Sequence, residues 1–292
     1  MKKIKVAFSD FWSGFDYNPA GKKGYDNTFY RLLSERYDIE IDNESPDFLI
    51  FSVFGNSHTN FRNCKKIFYT GENRRPDFSI CDYAITFDYL DHPNHHRFPL
   101  SALILSEKGI KEFPKNFDLD SIKKKKTKFC NFVFSNSNAQ KRNYLFQELS
   151  KYKKIDAGGI VFNNIGHTVG DKLEFLDQYK FTIAFENSEH EGYTTEKIVH
   201  PKLVDSIPIY WGNPLVSLDW NSKAFINYYD HKDIKSMIDF VKEVDNNEAL
   251  YDEMLLQPHY NELNIPKDHD LQGLLSFLDR ILTGEMQYKL LQ

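Results

Sequence analysis

FTIAFENSEHEGYTTEKIVHPKLVDSIPIYWG, residues 181–212, is the stretch on which the fold turns. Phe181 to Phe185 is an apolar run interrupted only by the β-branched Thr182, too short for a helix and bounded by Asn187 and Ser188, so it predicts a buried strand. The segment 194–206 then predicts a helix with Thr194 as N-cap, which puts Glu196 and Lys197 in the first turn. Ile207 to Gly212 reads as a second buried strand ending at a glycine. A strand, a helix and a strand at this spacing form a parallel βαβ unit.

The same alternation extends outward from this stretch. Upstream lie a strand at 129–135, a helix at 139–152, a strand at 153–158 and a helix at 170–179, and downstream are amphipathic helices at 233–244, 248–256 and 271–283. This pattern predicts a Rossmann-like domain. The first half repeats the pattern more loosely. It has strands at 3–8, 39–41, 48–55, 67–71 and 83–87, with a helix from about Asn27 that either Asp26 or Asn27 can cap.

Between Ser106 and Lys128 the texture changes to mixed charge and ends in the run Lys123 to Lys126, read as a solvated loop at a domain junction. The expected domains are therefore 1–125, 126–270 and a C-terminal helix over 271–292 that can pack back on the first domain. Two such α/β halves predict a ligand held at the carboxyl ends of their strands, in a cleft between them.

Composition narrows the class of function. A net charge of -5 does not suit a general nucleic-acid binder, so any anionic ligand has to be held by local cations. The start, MKKIKVAFSDFW, is too soon polar for a signal peptide, and no run of about 18 apolar residues occurs. A cytoplasmic chain is the expectation. Cys64, Cys81 and Cys130 are odd in number and form no CxxC pair, which predicts buried free thiols.

Three constellations carry chemistry. In the first, Lys197 sits at a helix N-terminus, where a cation opposes the dipole unless an anion lies between, and a phosphate would resolve the conflict. Pro201, four residues behind, cannot donate to the Lys197 carbonyl, which predicts a kink or an irregular turn. In the second, Arg142 follows a polar Ser/Asn turn at a strand end. Such an arginine is usually only solvated, but it can also grip two phosphate oxygens. In the third, Glu72 stands at a strand end in YTGENRRPDF (69–78), either as a general base or as a turn carboxylate paired with Arg74 or Arg75.

Other signals are weaker. Asp118 and Asp120 have DxD spacing but no apolar strand before them and are read as surface loop. His92, His95 and His96 lack acidic or Cys partners at metal-ligand spacing and are read as solvent-facing. No GxGxxG, GxxxxGK[ST] or GxSxG motif is present.

FENSEHEGYTTEK (185–197), SIPIYWG (206–212), SNSNAQKRN (135–143), DAGG (156–159), YTGENRRPDF and CDYAITFD (81–88) together resemble the α1,3-fucosyltransferase family. The likeness is nearest to its bacterial Lewis-antigen members and covers about residues 65–230. It implies a GT-B fold, α/β with two facing Rossmann-like domains, the first binding the acceptor and the second GDP-fucose. It also implies an inverting transfer of fucose to the 3-hydroxyl of N-acetylglucosamine or glucose in lactosamine-type acceptors, with no cofactor and no metal.

Carried over by position, Arg142 and Lys197 would neutralise the diphosphate, Asn187, Tyr193 and Glu196 would contact nucleotide or sugar, and Glu72 would be the base. The partners implied are GDP-fucose and a glycan acceptor, as in glycosylation of lipopolysaccharide or protein, and no nucleic acid. The chain lacks the heptad repeats and basic amphipathic tail of some bacterial members. That leaves at most a weak peripheral contact with the inner face of a membrane. The alternatives are another GDP-sugar-dependent inverting transferase, including one with α1,4 activity, and a non-catalytic nucleotide- or carbohydrate-binding relative.

Overall fold

A computed structural model of the chain describes residues 1–15, 27–108, 118–261 and 270–285. The alternative cap Asp26 and the last residues of the expected 271–292 helix lie outside them. The chain divides into two compact units, residues 1–109 with 267–292, and residues 110–266.

The first unit is a six-stranded parallel sheet with helices. In chain order it comprises β1 (Lys2–Ser9), α1 (Thr28–Ser34), β2 (Tyr37–Ile41), β3 (Phe48–Phe51), β4 (Lys65–Tyr69), β5 (Tyr83–Thr86), β6 (His95–Arg97) and α2 (Leu100–Glu107). Its strand order is β2-β1-β3-β4-β5-β6. Asn27 is the cap of α1, its side chain accepting from the Tyr30 N–H at 2.8 Å.

β6 was not anticipated, because HHR carries no apolar signal. It pairs in parallel with β5 at the sheet edge, which corrects the reading of His95 and His96 as solvent-facing loop, whereas His92 stays in the loop before the strand. His95 is packed in, bonded to the Thr86 hydroxyl at 2.9 Å, and burial pushes its pKa down to about 4.

The second unit contains α3 (Leu119–Lys125), β7 (Lys128–Phe132), α4 (Gln140–Leu149), β8 (Ile155–Ala157), α5 (Lys172–Leu176), β9 (Tyr179–Phe185), α6 (Glu196–Lys202), β10 (Ile207–Trp211), β11 (Ile226–Asn227), α7 (Ile234–Asn246) and α8 (Glu248–Leu255). Its parallel sheet runs β11-β10-β9-β7-β8. All five residues of β10 are buried, as strands covered on both faces require. Pro208 is tolerated there because β11 pairs only with Ile209 and Tyr210 and needs no N–H from position 208.

The junction differs from its reading as solvated loop. Asp118 caps α3 by accepting from the Ser121 N–H, so the DxD spacing is a helix start. Ile122 of α3 sits in the second unit's core, which moves the division of the chain ahead of residue 125. Lys126 is buried and donates to the carbonyl oxygens of Asp177 and Val204. The lysine run is therefore partly structural.

α9 (Leu271–Thr283) returns to the first unit, where Leu274, Leu275, Phe277, Leu278 and Ile281 join the core formed by β1, β3, β4 and β5. Each such fully buried side chain contributes about 1.5–3 kcal/mol. The three cysteines are free, with Cys81 and Cys130 buried and Cys64 only half-buried.

Candidate active site

In the second unit β8 lies on one side of β7 and β9 on the other, so the order of strands reverses between β7 and β9. Ligands of open parallel sheets bind outside the carboxyl ends of the strands at such a reversal. Arg142, from the first turn of α4, occupies this point. Its Nη1 donates to the Phe185 carbonyl (3.3 Å) and to Asn187 Oδ1 (2.9 Å), and its Nη2 donates to the Asn136 carbonyl (2.8 Å).

Arg142 thus ties the end of β7 to the end of β9. The guanidinium lies 3.8 Å from the Phe134 ring centre, has no solvent exposure, and is pulled down by burial to about 10, leaving it charged at neutral pH. Its Nε–H has no partner among the described residues. This is not the solvated helix-surface arginine that the sequence allowed.

Thr195, not Thr194, is the N-cap of α6, its hydroxyl accepting from the Lys197 N–H at 3.4 Å. Glu196 and Lys197 remain in the first turn. Lys197 is 8% exposed, with Nζ 3.1 Å from Glu186 Oε2, 3.3 Å from Glu196 Oε1 and 3.1 Å from the Thr195 hydroxyl. The anion that the sequence demanded at Lys197 is therefore supplied first by the protein.

α6 ends at Lys202, one residue past Pro201, so the helix is shorter than the predicted 194–206. The ring of Glu186, Glu196 and Thr195 holds the lysine head, and no bend behind it is needed to aim it.

Glu186 escaped sequence reasoning, although it adjoins Asn187 in FENS. It is fully buried and accepts from the Thr195 N–H (2.9 Å) and, through both oxygens, from the Thr195 hydroxyl. Gly212 at the end of β10 has φ +148°, and a Cβ there would lie 2.3 Å from Glu186 Cγ. The glycine closing SIPIYWG is thus required by the glutamate of FENS. Asn213, also missed, accepts from the Gly192 N–H at 2.7 Å and donates to the Thr194 hydroxyl at 3.0 Å, fastening the loop before α6. Tyr193 is buried in that loop and accepts from the Tyr210 hydroxyl through its carbonyl.

Electrostatics bind the group together. Burial disfavours charge on Lys197, but Glu186 and Glu196 outweigh it and raise the lysine above its ordinary range. Burial works against ionisation of Glu196 too, yet Lys197 and Lys172 hold it down to about 2. Lys172, at the start of α5, was not anticipated. Burial lowers its pKa, with Lys197 and Arg142 adding repulsion and Glu196 and Glu186 opposing. Burial pushes the Glu186 carboxyl up, with Lys197 opposing, so three basic side chains (Arg142, Lys172, Lys197) outnumber two acidic ones (Glu186, Glu196) around the place for an anionic ligand.

Glu72 belongs to the first unit, just past the end of β4. Its N–H donates to the Thr70 hydroxyl at 2.9 Å and its carbonyl accepts from the Arg74 N–H. The side chain is exposed, and its carboxylate pairs with no described residue. Arg75 does not pair with it. That guanidinium is held by Asp88, by Asn73 Oδ1 (2.6 Å) and by the Phe87 ring face, 4.2 Å away.

Among the described residues no three His, Cys, Asp or Glu side chains gather as a metal site, and no helix is long and apolar enough to cross a membrane.

Comparison with known proteins matches residues 6–104 to the Alpha-(1,3)-fucosyltransferase FucT N-terminal domain and residues 122–261 to the C-terminal domain of glycosyltransferase family 10 (fucosyltransferase). Alpha-(1,3)-fucosyltransferase FucT of Helicobacter pylori is 32% identical, over 98% of this chain and 67% of its own length. A crystal structure of α1,3-fucosyltransferase with GDP superposes with a TM-score of 0.81 at 30% identity, covering 97% of this chain and 91% of that one. The structure with GDP-fucose gives 0.79 at the same identity, covering 97% and 91%. The two parallel-sheet units are accordingly of the GT-B class.

Proposed function

Because this chain belongs to the α1,3-fucosyltransferase family and is a glycosyltransferase, we propose that it transfers fucose from GDP-fucose to the 3-hydroxyl of N-acetylglucosamine in lactosamine-type acceptors, with inversion at the anomeric carbon. The observation that carries this reading is the cluster of Arg142, Lys172 and Lys197 with Glu196 and Asn187 at the strand-order reversal of the second unit. Its excess of basic over acidic side chains suits an anionic diphosphate.

In the proposed reaction Glu72 accepts the proton of the acceptor hydroxyl, whose oxygen attacks the fucose anomeric carbon as the bond to the β-phosphate oxygen breaks. The charge developing on GDP is met by Lys197 and by Arg142, whose unpaired Nε–H is a donor left for a phosphate oxygen. Glu196, ionised and partly exposed, is suited to accept from sugar hydroxyls, and Asn187 and Tyr193 complete the donor contacts. A carboxylate free of ion pairs supports the base role of Glu72, since its lone pairs are available to the substrate. Fixed cations supply the electrostatic stabilisation, so we infer no metal requirement. The acceptor is read as a glycan of the Lewis-antigen or lipopolysaccharide kind, with the chain acting in the cytoplasm.

The test is incubation with GDP-fucose, GDP-mannose and GDP-glucose against N-acetyllactosamine, lactose and galactosyl-β1,3-N-acetylglucosamine. Expected are GDP release with GDP-fucose and an α1,3 linkage in the product by NMR. Turnover of GDP-mannose with none of GDP-fucose, or an α1,4 product alone, would overturn it.

A further inference from the structure

In the first unit the strand order reverses between β1 and β3. The carboxyl end of β1 leads into Asp10, Phe11 and Trp12, and that of β3 into Val53, Phe54 and Gly55. The two segments stay side by side past the strands, with the Ser52 N–H bonded to the Ser9 carbonyl at 3.1 Å and the Phe54 N–H to the Asp10 carbonyl at 2.9 Å.

Asp10 has φ +59°, a left-handed backbone unusual outside glycine, and its buried carboxylate explains why that is tolerated. It accepts from the N–H groups of Ser57 and His58 and bonds His58 Nδ1, each at 2.8 Å, so the turn 55–58 is folded around it. Position 55 must be glycine, because a Cβ there would lie 2.5 Å from Asp10 Oδ1.

This rigid turn presents aromatic side chains outward. Phe54 is 50% exposed, an unusual position for a phenylalanine, and Trp12 is partly exposed beside it, ring centres 6.0 Å apart at 78°. Behind them Phe11 stacks on Phe15 at 3.7 Å and on Tyr69 at 6.2 Å, and Tyr69 is the last residue of β4, three before Glu72. The aromatic wall and Glu72 therefore stand on one edge of one sheet. At about 5 Å between neighbouring strands, the ends of β1 and β3 lie roughly 5–10 Å from the end of β4, which is one to two sugar rings.

We propose that Trp12 and Phe54 form an acceptor subsite that takes the apolar face of the sugar next to the one being fucosylated, the galactose of a lactosamine-type acceptor. Galactose presents C–H groups on one face, and an exposed ring held in place by a folded turn binds such a face with little loss of side-chain freedom. On this proposal the enzyme prefers a disaccharide acceptor over a monosaccharide. It rests on the transferase reading above, and its test separates the two.

The deciding variant is Phe54→Ala, because Phe54 is half exposed whereas Trp12 also packs on Phe15, with Phe54→Trp as the conservative control. The kcat/KM ratio for N-acetyllactosamine over N-acetylglucosamine is expected to fall about three- to tenfold, through KM, in Phe54→Ala, the size of one lost aromatic contact, and to be restored in Phe54→Trp. An unchanged ratio overturns the subsite. Saturation-transfer NMR of N-acetyllactosamine with the whole protein and GDP gives a second readout. Saturation of galactose protons that Phe54→Ala abolishes supports the subsite even if no fucose is transferred, in which case the transferase reading alone fails. Saturation equal in both proteins overturns the subsite whatever the activity.

Discussion

Lys197 Nζ lies 3.1 Å from Oε2 of Glu186, a carboxylate with no solvent exposure, and the same carboxylate accepts from the backbone N–H that begins α6. One buried glutamate thus sets both the charge state of the lysine and the place where its helix starts. Breaking such a pair by removing one partner leaves an uncompensated buried charge.

Glu186→Ala is expected to cost about 3–5 kcal/mol of stability, and Glu186→Gln less, because the amide retains hydrogen bonding to Thr195. Urea denaturation read by circular dichroism checks this. GDP affinity is expected to change in both variants, since Lys197 loses its nearest counter-charge. Equal stability of wild type and Glu186→Ala would show that the pair does not hold α6.

Gly212→Ala forces a methyl group against Glu186 and is expected to destabilise by about 1–3 kcal/mol, the usual range for overpacking a filled site. Added to Glu186→Ala, the same change should cost only somewhat less, because that substitution removes the Glu186 Cγ but keeps its Cβ, 2.5 Å from the new methyl, and φ +148° at position 212 disfavours any side chain. A double-mutant cycle with additive effects would separate the two residues.

Glu72 and the donor cations should divide kinetically. Glu72→Gln is expected to lower kcat by about 10²–10⁴-fold, as for loss of a general base, with GDP binding retained in calorimetry. Arg142→Ala and Lys197→Ala are expected to weaken GDP binding by roughly 1.5–3 kcal/mol each, the scale of a hydrogen bond to a charged group. Both also strip buried contacts, so each titration is run below the variant's own unfolding temperature. Equal GDP affinity in all three variants would remove the donor assignment.

Lys202 predicts a pH signature unrelated to chemistry. It is 2% exposed, donates to the Ala224 carbonyl at 3.2 Å, lies 3.4 Å from His259 Nδ1, and is lowered by burial to about 7. A folded pKa below the unfolded value near 10.5 means the unfolded chain binds more protons between the two. Stability therefore rises with pH from about 7 toward 10.5, and the full cost of burial is felt below 7. Lys202→Met is expected to be about 1–3 kcal/mol more stable than wild type at pH 6, with the advantage shrinking toward pH 10. A pH-independent difference would show that Lys202 does not titrate in this range.

Much of this was legible from residue order. Continuous apolar runs became buried parallel strands, and the stretch 181–212 folded as strand, helix and strand, because a strand covered on both faces needs no polar alternation. Arg142 and Asn187, picked separately, turn out to be hydrogen-bonded, and Glu196 and Lys197 are ion-paired. What escaped had no local signature. β6 is a polar edge strand recognised only through its pairing with β5. The partners of Glu186 lie nine and eleven residues along the chain, and Lys172 comes from another helix altogether.

The order of residues was enough to determine the continuous buried strands and the helices of the second unit that follow them, and that a cation at position 197 needs an anion, since both follow from side-chain periodicity and from charge beside unpaired backbone N–H groups. Tertiary structure alone decided that Glu186 is the first such anion, that Gly212 must be glycine to admit it, and that Arg142 is buried between two strand ends. The physical reason is that burial and close approach are properties of neighbours in space, and in a parallel sheet those neighbours come from strands far apart in the chain.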